Sequence, residues 1–257
     1  MVGLIQLMAI VTVNSLVSFA PIATGSSYIT SGGFLISFFI ATLIFVLIMK
    51  VYRGDMLYRI LFYAVIALGL STVFNTVFPT DVMIGVTALF IAALIIAPCV
   101  WVYDLAVGLA AVGIGPLFGL QMTWDVAAII LIVLSLYDII SVYYTKHMVT
   151  MAYRMLKSRA IFGLIIPEHL SGYDERMDAV RPGAGFLVLG GGDVVLPMLL
   201  TCSVYFANPT SAYTAVIGVL VGVTANHVVL TRFQRPIPAL PLIATFTILG
   251  AIAGFYV

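Results

Sequence analysis

Two of the ten acidic residues in this 257-residue chain stand where a carboxylate is costly. Asp138 and Asp193 lie inside long apolar runs, and a charge at the centre of a membrane helix costs about 3 kcal/mol unless it faces a cavity or a partner. Facing one another in a low-dielectric site, two carboxylates cannot easily both ionise, so the pair holds one proton near neutral pH. One is then an acid and one a base. The ionised partner can activate a water while the protonated one polarises a carbonyl, with the roles exchanging as a tetrahedral intermediate collapses. A pair that merely pins two helices together is the bland alternative, but an apolar contact would serve packing at lower cost.

The neighbouring residues suit such a site. Gly190, Gly191 and Gly192 immediately precede Asp193, and three side chains fewer let another chain approach the carboxylate. Tyr137 adjoins Asp138, although adjacent helical residues point about 100° apart, so it does not cap its own neighbour. Pro236-Ile237-Pro238-Ala239-Leu240-Pro241 opens the last apolar run. Its prolines deny the first turns their hydrogen bonds, and the backbone groups so freed could pair with an extended segment in the manner of strand addition.

The elements that must position these residues are membrane helices. Charged residues are 8% of the chain and hydrophobic residues 63%, too apolar a composition for one soluble core under a polar exterior. Runs of about 20 apolar residues predict an all-α polytopic membrane protein of nine spans. They are Val2 to Ala20, Phe34 to Tyr52, Leu57 to Phe78, Val82 to Ala97, Val100 to Leu120, Val126 to Tyr144, Gly185 to Phe206, Ala212 to Thr231 and Ile237 to Tyr256. The fourth and fifth are separated only by the Pro98 region. The first lacks the basic start of a secretory signal, so it is expected to be retained, although Ala20-Pro21-Ile22-Ala23 faintly resembles a cleavage site. The organisation expected is one membrane-embedded domain over residues 1–257: helices one to six over 2–144, a cytoplasmic loop over 145–184 and helices seven to nine over 185–257.

Every one of the 11 Lys and Arg falls beside an even-numbered connection. Lys50, Arg53 and Arg59 flank the second, Lys146, Arg154, Lys157, Arg159, Arg176 and Arg181 the sixth, and Arg232 and Arg235 the eighth. By the positive-inside rule these connections are cytoplasmic, which puts the N-terminus inside and the C-terminus outside. Asp138 lies eight residues before Lys146 and Asp193 nine after Ala184, so on helical rise both sit about 12–14 Å below the cytoplasmic boundary.

The other features read more plainly. Asp55, Glu168, Asp174, Glu175 and Asp178 belong to cytoplasmic loops, and Asp81, Asp104 and Asp125 lie near span ends. Residues 160–167 of the sixth connection are apolar but too short to span, which suggests an interfacial or docking segment. Gly115xxxGly119, Gly218xxxGly222 and Gly250xxxGly254 are small-residue faces for close helix packing. Cys99 and Cys202 have no Cys or His at ligand spacing and read as small buried hydrophobes. No metal and no cofactor is expected, and a net charge of +1 offers no footprint for nucleic acid.

Tyr137-Asp138, Gly190-Gly191-Gly192-Asp193 and Pro238-Ala239-Leu240 together resemble the YD, GxGD and PAL motifs of the presenilin and signal peptide peptidase family, in order and at spans six, seven and nine. The resemblance covers essentially the whole chain. It implies an intramembrane aspartyl protease with Asp138 and Asp193 catalytic and with Pro238, Ala239 and Leu240 shaping the site. N-inside orientation and the extension of PAL by Pro241 are similar to presenilin, whose relatives cut single-span substrates with their N-termini outside. Relatives commonly carry a larger residue, such as leucine, at Gly191, which bears on substrate preference. The short sixth loop resembles archaeal members acting in the cell membrane without accessory subunits. Transmembrane-segment substrates and the lipid bilayer are the partners implied, and self-association stays open.

Two rivals remain. Prepilin peptidases share a GxGD aspartate, but they typically place a lysine two residues after it, where this chain has Val195, and they have no PAL at a ninth span. A proton-coupled transporter or channel would also use paired intramembrane carboxylates, with Asn226 and His227 extending a relay. No inverted repeat between the halves supports it.

Overall fold

In a computed structural model of the chain, the structure describes residues 1–19, 33, 36–37, 40, 55–145, 161–180, 185–233 and 237–256. Eight α-helices are found among them: α1 (Val2–Phe19), α2 (Asp55–Asn75), α3 (Thr80–Ile96), α4 (Val100–Gly119), α5 (Trp124–Ile140), α6 (Gly191–Ala207), α7 (Pro209–Phe233) and α8 (Leu240–Gly254). Four stretches, Met56–Asn75, Val100–Gly119, Trp124–Tyr143 and Pro209–Arg232, are long and apolar enough to cross a bilayer, and four shorter apolar helices accompany them. The expected second span, Phe34 to Tyr52, lies almost wholly outside the described residues, as do most of the basic residues that orient the chain.

Proline sets several boundaries. Pro79 precedes the first residue of α3, and Pro98 lies in the three-residue break between α3 and α4, so spans four and five are separate helices. Pro209 opens α7, where its missing N–H is no loss. Beside it Asn208 accepts the Thr210 N–H at 2.9 Å and donates to the Gly254 carbonyl at 3.2 Å, tying the start of α7 to the end of α8.

Lipid supplies little hydrophobic drive between helices, so close backbone approach matters more. The glycine pairs on α7 and α8 provide it: a Cβ on Gly222 would lie 2.7 Å from the Ile243 Cα, and one on Gly218 would strike the Phe246 carbonyl. Gly69 of α2 and Gly113 of α4 meet backbone to backbone in the same way. Gly115 and Gly119 press α4 onto Met198 and the fully buried Cys202 of α6. With α1, α2, α6 and the extended segment below all against it, α4 is the most enclosed of the long helices.

Two expectations are corrected. The seventh apolar run does not start as helix: Phe186–Gly190 is a strand, β2, and α6 begins only at Gly191. The apolar segment of the sixth connection, expected to be interfacial or docking, is docked within the protein. Gly163–Pro167 forms β1 and pairs antiparallel with β2, with Gly163 opposite Gly190 and Pro167 opposite Phe186. Among the described residues the fold is therefore helical with one two-stranded antiparallel sheet rather than purely α. A continuous apolar run carries no periodicity that separates a buried strand from a helix, which is why the hairpin was missed. Helical rise also fails over residues 186–190, because a strand advances about 3.3 Å per residue, so the equal-depth argument for Asp193 lapses.

Candidate active site

Both carboxylates stand in terminal turns rather than mid-helix. Asp138 is in the last turn of α5, which passes into a π-helical turn over Ser141–Thr145. Asp193 is in the first turn of α6, directly behind the strand. Helix starts leave N–H groups without intrahelical acceptors, and two such groups serve the acids. The Gly190 N–H donates to the Asp193 carboxylate, and the Leu240 N–H, at the first residue of α8, donates to the Asp138 carboxylate. Proline at the second helical position, Pro241, leaves the Leu240 amide unaffected.

The two carboxylates interact electrostatically and border one cavity of about 420 Å³. Tyr137, Asp138, Gly191, Gly192, Asp193 and Leu240 all line it. Asp138 is buried, Asp193 partly buried, and Tyr137 is 51% exposed, the divergence expected of adjacent helical residues. Gly190, Pro238 and Ala239 do not line the cavity; Gly190 and Ala239 adjoin residues that do, and Pro238 lies two positions before Leu240. Phe62 and Ile66 of α2 and Val107 and Ala111 of α4 complete a largely apolar wall. An apolar chamber bordered by two carboxylates can hold an extended hydrophobic segment against an acid–base pair. Among the described residues no cluster of metal-ligating side chains is found.

Gly191 is tightly placed. Its N–H donates to the Phe162 carbonyl at 2.7 Å, and a Cβ there would stand 2.9 Å from that oxygen, so a larger residue requires the strand entry to shift. Four residues beyond Asp193, Pro197 lacks the N–H that would bond the Asp193 carbonyl, which loosens this turn. The fully buried Gln6 of α1 braces the same turn, donating to the Val194 carbonyl at 3.1 Å and accepting from the Thr201 hydroxyl at 3.3 Å.

Sequence reasoning passed over Tyr103 and Asp104. Asp104, read as a span-end residue, is 2% exposed and accepts the Ile165 N–H through Oδ1 at 2.8 Å, while Oδ2 finds no partner among the described residues. Tyr103 donates its hydroxyl to the Ile161 carbonyl. No local signal marks either residue, because their partners lie about 60 positions on. Tyr173, in a 3-10 turn over Leu170–Asp174, has its phenol held above the ordinary value by burial and, secondarily, by the charge of Asp104. Asn226 is buried and His227 exposed, and neither lines the cavity that holds the two acids.

The signal-peptide peptidase, presenilin aspartyl protease family model matches residues 1–257. Two solved structures of a presenilin family intramembrane aspartate protease, in C222 and P2 space groups, are similar in fold. The first has a TM-score of 0.69 at 20% identity and the second 0.64 at 21%, each covering 99% of this chain and 96% of the other. No curated protein matches the sequence significantly.

Proposed function

The chain belongs to the signal-peptide peptidase and presenilin aspartyl protease family and is an intramembrane aspartyl protease, and from that premise we propose that Asp138 and Asp193 are its catalytic pair. The ionised member takes a proton from water as the water oxygen attacks the scissile carbonyl carbon, and the protonated member gives its proton to the carbonyl oxygen. As the tetrahedral intermediate collapses, the C–N bond breaks, the leaving nitrogen receives the proton that the base had taken, and one hydroxyl of the intermediate returns a proton to the other carboxylate, which restores the singly protonated pair. The observation that carries this reading is the convergence of both carboxylates and the Leu240 N–H on one apolar cavity.

The substrates are transmembrane segments presented from the bilayer. The arrangement of Lys and Arg supports a nine-span, single-domain topology with the N-terminus cytoplasmic, and hence single-span substrates whose N-termini lie outside. The short sixth connection supports an archaeal-type enzyme of the cell membrane that works without accessory subunits. Tyr137, Gly190, Gly191, Gly192, Pro238 and Ala239 shape the approach to the pair, and Leu240 contributes its backbone amide.

The test is incubation of the purified protein with a single-span reporter in liposomes, with the products identified by mass. Two fragments are expected whose masses sum to the reporter plus one water, with the cut inside the span. Intact reporters, together with proton flux that Asp138→Asn and Asp193→Asn abolish, would replace this reading with transport.

A further inference from the structure

We propose that Tyr103 and Asp104 are positioning residues that hold the β-hairpin, and through it Asp193, in place. The inference rests on the reading of Asp193 as catalytic.

In an antiparallel pair, residues alternate between exchanging hydrogen bonds with the partner strand and directing their N–H and C=O groups away from it. The Gly191 N–H bonds to the Phe162 carbonyl, so with Gly163 opposite Gly190 the odd-numbered residues of β1 direct their backbone groups outward. A two-stranded sheet inside an apolar protein cannot leave that edge unpaired, since each unmet buried group costs about 1–3 kcal/mol. Side chains of α4 meet it at two points, and the Gly163 N–H bonds the Ile161 carbonyl at 3.0 Å. Asp104 takes the Ile165 N–H at 2.8 Å, and Tyr103 meets the Ile161 carbonyl.

The same end of α4 grips the chain that follows β1. The Val100 N–H donates to the Glu175 carbonyl at 3.0 Å, and the Met177 N–H to the Pro98 carbonyl at 2.8 Å. The Tyr103 ring stacks on Phe62, centroids 5.2 Å apart, and Phe62 meets Phe162 edge-on at 5.4 Å, so the clamp is continuous with the cavity wall. From Ile161 and Ile165 the path to the acid is short. Phe162 fixes Gly191, and the Gly190 N–H holds the Asp193 carboxylate. Three glycines and a helix loosened at Pro197 give this stretch little rigidity of its own, so its geometry is borrowed from α4.

The experiment compares Tyr103→Phe, Asp104→Ala and Asp104→Asn with the parent in reporter cleavage and in amide hydrogen exchange over residues 161–167 and 186–191. Tyr103→Phe and Asp104→Ala should each lower kcat about tenfold to a hundredfold with KM little changed, as expected of small misplacements of a reacting group. Exchange over the hairpin should rise about tenfold in both variants. Asp104→Asn keeps an oxygen to accept the Ile165 N–H and should restore kcat to within about threefold of the parent. Asp104→Asn as inactive as Asp104→Ala, or exchange that rises while kcat stays at the parental value, would overturn the proposal. Failure of the catalytic reading itself looks different: Asp193→Asn would cleave like the parent while the exchange data still reported on the clamp.

Discussion

At the scale of single residues, the cost of placing Asp138 and Asp193 in an apolar interior is offset by two backbone N–H groups at helix starts and by access to a cavity. A pair that needs one proton between two carboxylates fails in either direction of titration. At low pH both are protonated and no base remains; at high pH both are ionised and no acid remains. Cleavage rate against pH should therefore be bell-shaped, with two apparent pKa values that belong to the pair rather than to either residue. A rate that stays flat well above neutrality would contradict a shared proton. The two acids were legible in the sequence because their cost is a property of residue type and surroundings. The service of Leu240 through its backbone amide was not, because nothing in a Pro-Ala-Leu string says which N–H will point at which carboxylate.

At the scale of elements, contacts between backbones decide stability. Gly113 and Gly85 make a matched test, since both are helical glycines in apolar segments. A Cβ on Gly113 would collide with the Gly69 carbonyl, whereas one on Gly85 meets nothing within 4 Å. Gly113→Ala should cost about 1–3 kcal/mol in unfolding free energy, as overpacking of rigid backbone does. Gly85→Ala should be neutral or stabilise by up to about 1 kcal/mol through helix propensity. Denaturant or thermal unfolding in detergent measures both, and equal effects at the two sites would contradict the packing described for α2 and α4. Most of the helices were legible because apolar runs bounded by proline mark membrane segments. The hairpin was not. Phe186-Leu187-Val188-Leu189 is as apolar as the helix it leads into, and the pairing with β1 joins segments about 20 residues apart. Ile165 and Ile166 beside Gly163 and Pro167 were the signal available, a short β-branched run between turn formers.

At the scale of the whole molecule, the few charges divide by task. On the nine-span reading the 11 basic residues cluster beside even-numbered connections, and that asymmetry predicts the N-terminus inside and the C-terminus outside. Tags at both ends read by protease accessibility in sealed vesicles test it, and a cytoplasmic C-terminus would contradict the nine-span topology. The same orientation predicts a preference for single-span reporters with their N-termini outside, measurable by inverting the reporter. Asp104 changes how the acids are counted: what reads in sequence as a span-end carboxylate is buried against the strand pair that leads into Asp193. The central claim, that Asp138 and Asp193 act as one catalytic unit, is tested most directly by reporter cleavage in liposomes with Asp138→Asn, Asp193→Asn and the double variant. Each single substitution should lower kcat about a thousandfold or more and the double should fall no further, whereas a single variant retaining more than about a tenth of the parental rate would contradict the account.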